Sequence, residues 1–138
     1  MHIAILKAYL DRSQEKAKQM LGADAIDFSK AKSAAQRFTD AGAKVLAIQK
    51  NPPADAARLN RALIGAERAL LLEQGLPNRP WFRHAIYAPG QYTGYAAVVV
   101  PGVNESIDAK NKQLTQEQVL VLAEALNRAA AVLEGVTQ

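Results

Sequence analysis

Cysteine is absent from the 138 residues, which excludes disulfides, thiolate metal sites and a cysteine nucleophile. Histidine occurs only at His2 and His84, and His2 sits at a terminus prone to fraying. A zinc site needs three or four ligands, so two histidines do not by themselves make one. The sequence has no His-Glu-x-x-His, no glycine-rich phosphate loop and no Gly-x-Ser-x-Gly elbow. No apolar run approaches the roughly 20 residues of a membrane span. Lys7, Asp11 and Arg12 interrupt any signal-peptide core near the start. Repeats of fixed period are missing, which argues against a solenoid. Excess charge is small as well, with 17 basic and 13 acidic residues and a net charge of +4. The two signs interleave at Asp11, Arg12, Glu15 and Lys16, and again at Asp40 and Lys44. Such interleaving marks a solvated helix face, and no nucleic-acid partner is expected because clustering is the diagnostic feature.

What is present is helical periodicity. Ile3, Leu6, Leu10, Ala17 and Met20 predict a first helix over Ile3–Leu21, stopped by Gly22. Asp27 caps a second over Phe28–Gln49, with Ala31, Ala34, Ala35, Phe38, Val45 and Ile48 as its buried stripe. Asn51-Pro52 opens a third that runs to Gln74, with Leu59, Leu63, Ala66 and Leu70 on one face, and Gly75 ends it. Thr115-Gln116-Glu117-Gln118 reads as a capping box for a fourth, with Val119, Leu122, Ala123, Leu126, Ala130 and Leu133 inward and Gly135 as its end. Three of these helices are about 30 Å long. Matched lengths predict an all-α fold, an up-down-up-down four-helix bundle in a single domain over 1–138.

Between the third and fourth helices lies a segment, 75–113, too long for an ordinary helix connection of about 2–8 residues. Pro77, Pro80, Pro89 and Pro101 keep a long helix out of it. Its composition is not that of a disordered linker, because Trp81, Phe82, Tyr87, Tyr92 and Tyr95 lie in it, followed by the apolar run 96–100. It therefore reads as a long ordered loop packed on the helical frame, with one short helix starting at Pro101. Trp81 and Phe82 are expected to plug into the bundle. Arg83 and His84 are expected to hydrogen-bond backbone carbonyls rather than act as a base.

The run Leu76-Pro77-Asn78-Arg79-Pro80-Trp81-Phe82-Arg83-His84-Ala85-Ile86-Tyr87-Ala88-Pro89 resembles the C-terminal dimerisation domain of the transferrin receptor and glutamate carboxypeptidase II family. The similarity continues through Gly94-Tyr95-Ala96 and Pro101-Gly102-Val103. It reaches more weakly to Phe28 through Thr39 and to Glu67-Arg68-Ala69, so that it covers most of the chain from Asp27 onward. The resemblance implies a helical module that stands behind a zinc-peptidase domain and joins two copies into a homodimer. It also implies that the long loop reaches the substrate pocket, where a Lys-Tyr pair receives a C-terminal glutamate. Here Tyr95 matches the tyrosine, but Gly94 stands where the lysine would be.

None of the family's zinc ligands, nor its general-base glutamate, matches a position in this chain. The expectation is a dimerisation module, excised or free-standing, with no cofactor and no hydrolysis of its own, zinc belonging to a separate peptidase domain. Arg79, Trp81, Phe82, Arg83, His84 and Tyr87 form its structural loop motif. If the parent is like bacterial family members, it is extracytoplasmic or secreted. Two other functional classes stay open at this point: a small enzyme using Arg83, His84 and Tyr87 or Tyr95, and a basic helical adaptor for an anionic partner.

Overall fold

A computed structural model describes residues 5–50, 56–89 and 97–137. The start signals at Ile3 and Asn51-Pro52, together with Tyr92, Gly94 and Tyr95, lie outside the described residues. The chain is mostly helical. Its elements are α1 (Ile5–Leu21), α2 (Ser29–Lys50), α3 (Ala56–Ala69), the strands β1 (Tyr87–Pro89) and β2 (Ala97–Val99), then α4 (Pro101–Asp108) and α5 (Lys112–Thr137).

The organising element is α5. Val119, Leu122, Ala123, Ala125, Leu126, Ala129, Ala130 and Leu133 are all buried, a wider arc than the single stripe the sequence suggested. That arc is packed by α2, α3 and α4 together, while α1 has its main contacts with α4 and α2. Both helices bury alanine, at 123, 125, 129 and 130 of α5 and at 31, 34, 35 and 41 of α2, and α2 and α5 pack on each other. Small side chains permit interaxial distances at the short end of the usual 8–10 Å. Phe38 on α2 and Phe28 just before it supply large buried volumes. On α1 the buried face is Leu6, Leu10, Ser13, Ala17 and Leu21. Met20, expected inside, is exposed, because Leu21 completes the 3.6-residue stripe instead.

Several boundaries differ from the expected ones, each for a local reason. Asp27 accepts the Ser29 N–H at 2.8 Å and caps α2, and hydrogen bonds from the Ser29 side chain and backbone hold its carboxyl below the usual range. The first turn of α5 latches the same corner, since the Gln116 side chain accepts the Asp27 N–H at 2.8 Å and donates to its carbonyl at 3.0 Å. Thr115 is not the cap of α5. Asn111 is, accepting the Leu114 N–H at 3.0 Å, so the helix begins one turn earlier. Thr115 is buried in the first turn, and its hydroxyl donates to the Asn111 carbonyl at 2.7 Å. Gly135 does not end α5, which continues to Thr137. Its carbonyl accepts a bond from Arg58 of α3 at 2.8 Å.

The third helix stops at Ala69 rather than Gln74, because the backbone from Leu70 pairs elsewhere. Ala85 N donates to Leu70 O at 2.9 Å, and Leu72 N to Arg83 O at 2.7 Å. The described part of the expected 75–113 loop thus contains a two-stranded antiparallel sheet and, where a short helix was expected from Pro101, α4. Tyr87 pairs with Val99, Ala88 with Val98 and Pro89 with Ala97.

Two measurements check this frame. Asn111→Ala is expected to cost about 1 kcal/mol in urea denaturation, as loss of an N-cap does. Arg37 of α2 grips Glu134 of α5 at 2.6 Å and holds its carboxyl below the ordinary 4.5. A depressed folded-state value means the contribution is present above that pH and is lost as the pH falls through the folded value. The melting temperatures of the wild type and Glu134→Gln should therefore differ near neutrality and converge in acid.

Candidate functional site

The candidate site is the folded insert between α3 and α5, built from a tight turn, a histidine-pinned corner and a strand pair. The turn spans 75–82. Gly75 has φ +72°, and a Cβ there would lie 2.2 Å from the Pro80 carbonyl oxygen, so only glycine fits. Leu76 N donates to Phe82 O at 2.9 Å, Arg79 N to Leu76 O at 3.1 Å and Phe82 N to Arg79 O at 3.0 Å. Asn78, with φ 64°, supplies the left-handed corner that asparagine tolerates.

From this turn Arg79 points inward. It is 6% exposed, its guanidinium lies 5.2 Å from the Phe82 ring centroid, and it is paired with Glu105 of α4. Glu105 is largely buried too. The pair ties the insert to the helix that packs on both α1 and α5. Trp81 points the other way and is 70% exposed. The expectation that it plugs the bundle is therefore wrong. Arg79 occupies the inward position of the turn, while the indole leans on half-buried Phe82, with centroids 6.3 Å apart.

His84 pins the next corner. Its Nδ1 accepts the N–H of Ile86 at 3.1 Å and of Tyr87 at 3.3 Å, and Nε2 lies 3.6 Å from Glu67 of α3. It does bond backbone, but to N–H groups rather than to carbonyls. Arg83 Nε donates to Leu72 O at 2.8 Å. The Tyr87 ring packs edge-on against Tyr9 of α1, with centroids 6.4 Å apart. The hydrogen bond with Tyr9, helped by burial, raises the Tyr87 phenol above its ordinary 10.0. These engagements give Arg83, His84 and Tyr87 structural work in holding the corner.

The insert ends on Val100, where the chain turns into α4. Val100 is buried and left-handed at φ 37°, an uncommon conformation for a β-branched residue. Its N–H donates to Ile86 O at 2.7 Å, and Asn104 Nδ2 donates to Val99 O at 2.7 Å. Ser13 of α1 donates to Asn104 Oδ1 at 3.0 Å. These bonds fix the conformation from both sides.

Sequence reasoning missed Glu105, Glu67, Tyr9, Ser13 and Asn104, the partners that hold the motif. They come from three different helices, α1, α3 and α4, and no local pattern links them to it. Among the described residues no group of three or more histidine or acidic side chains comes together as a metal site. The donor set of a zinc centre is therefore not assembled there. No helix among them is long and apolar enough to cross a membrane.

The transferrin receptor-like dimerisation domain model matches residues 15–134, and the chain belongs to that family. Among curated proteins it is similar to a probable glutamate carboxypeptidase of Arabidopsis thaliana, 39% identical over 84 residues, or 56% of this chain and 12% of that one. A probable glutamate carboxypeptidase of Arthroderma benhamiae is 34% identical over 114 residues, 78% of this chain and 16% of that one. One from Zea mays is 33% identical over 84 residues, 56% of this chain and 12% of that one. The chain thus spans under a fifth of the length of these relatives.

Substitution should separate the two faces of the turn. Arg79→Ala leaves Glu105 buried and unpaired and is expected to cost about 3–5 kcal/mol. Trp81→Ala should cost less than about 0.5 kcal/mol, as exposed substitutions do. Chemical denaturation of both variants measures the contrast.

Proposed function

We propose that this chain is the self-associating module of a carboxypeptidase-like protein and forms a homodimer. The observation that carries the reading is the family match over 15–134, which takes in the whole folded insert and most of the helical frame. Catalysis, on this reading, belongs to a separate peptidase domain that holds the zinc ions, and the module contributes position rather than chemistry. The described part of the insert supports a role in presenting the 90–96 segment. β1 and β2 flank it and are fastened at their far ends by His84 and by the Val100–Ile86 bond.

Tyr95 in that segment would offer its hydroxyl to a substrate carboxylate in the neighbouring domain's pocket. Gly94 beside it provides no cation, so an acidic substrate side chain would find no partner at this position. Sedimentation equilibrium at micromolar concentration tests the association: twice the chain mass is expected, and a single-chain mass throughout would overturn the reading. In the whole peptidase, Tyr95→Phe should lower kcat/KM, and unchanged kinetics would remove the pocket role alone.

A further inference from the structure

The partners of His84 on its two ring nitrogens suit different protonation states. Nδ1 accepts the N–H of Ile86 at 3.1 Å and that of Tyr87 at 3.3 Å. A nitrogen that accepts carries no proton, so the ring hydrogen sits on Nε2. Nε2 lies 3.6 Å from a carboxylate oxygen of Glu67, an exposed residue of α3. A second proton would place a donor on Nδ1 against two backbone donors, and neither bond could then form. Glu67 acts the other way, because its carboxylate pairs better with a charged ring than with a neutral one.

The other titratable and charged groups around the ring leave Glu67 as its ionic partner. The Tyr87 ring lies 6.0 Å away, with Tyr9 of α1 behind it. Arg83 precedes His84 in the chain, and Arg128 of α5 reaches the end of α3. Both arginines donate to carbonyls, those of Leu72 and Ala69. The His84 side chain is 29% exposed, so solvent protons reach it. Its corner also fastens the strand pair, since Ile86 O accepts the Val100 N–H and β1 begins at Tyr87.

We propose that His84 is an acid-sensitive latch on the insert. Neutral, it closes the Ile86–Tyr87 corner; protonated, it turns to Glu67 and releases the start of β1. This goes beyond the dimerisation reading and does not depend on it. Asparagine offers an acceptor oxygen to the N–H two residues on and takes up no proton, so His84→Asn keeps the corner and removes the switch. The variant retains His2, the other histidine, so any difference belongs to His84. Amide exchange read by NMR on both proteins, from about pH 8 to about pH 5, spans the range in which histidine gains its charge. Protection at the Ile86 and Tyr87 amides, corrected for intrinsic exchange, should fall at least about tenfold in the wild type and hold in His84→Asn. The α5 amides should stay protected in both. No loss in the wild type, or equal loss in the two proteins, would overturn the latch. If the variant's corner is open already at pH 8, the wild-type imidazole nitrogen shifts decide. A proton on Nε2 at pH 8 and one midpoint for ring and amides support the latch; a proton on Nδ1 or separate midpoints overturn it. Glu67→Gln should move the midpoint to lower pH, and an unmoved or higher midpoint would overturn the part given to Glu67.

Discussion

The buried pair between Arg79 and Glu105 is the contact on which the insert depends. Removing two charges from water costs several kcal/mol each, and only a well-made ion pair with supporting contacts offsets that cost. Those contacts are present in the Phe82 ring beside the guanidinium and in the closed turn over Gly75. Because breaking a buried pair leaves an uncompensated charge, the turn and α4 are coupled through it. The pair thus turns a proline-punctuated stretch into a folded part, and α4 passes that order on to α1 and α5.

Much of this was legible in the sequence. Helical periodicity placed α1, α2 and α5, because their apolar stripes are long and uninterrupted. Trp81, Phe82 and Tyr87 marked the insert as ordered, because so much aromatic surface is not left in a linker. The sequence did not show which aromatic faces inward. Side-chain size suggested Trp81, but the turn's geometry directs Arg79 to the interior, and a charge goes there only because Glu105 lies opposite. The end of α3 was illegible for a similar reason. Leu70, Leu71 and Leu72 fit a helical stripe, yet backbone pairing with Arg83 and Ala85 takes them out of the helix. Asn111 was overlooked as a cap because Thr115-x-x-Gln118 is the stronger local pattern. The segment holding Gly94 and Tyr95 keeps its role on family resemblance and on the strands that flank it.

The same helix organises the inside and the outside of the module. One arc of α5 is dense with alanine and leucine and gathers α2, α3 and α4. The opposite arc is exposed and charged, and Arg128 on it reaches the end of α3, donating to the Ala69 carbonyl at 3.2 Å. A helix gripped by three others gives the module a rigid centre, and α4 ties the insert to it.

Native-state hydrogen exchange tests most directly whether the insert is a folded part of the frame. The amides of Leu72, Leu76, Ala85 and Val100 donate to backbone carbonyls within the insert. They should exchange with protection close to that of the buried residues of α5. Rapid exchange at these four amides while α5 stays protected would contradict the account.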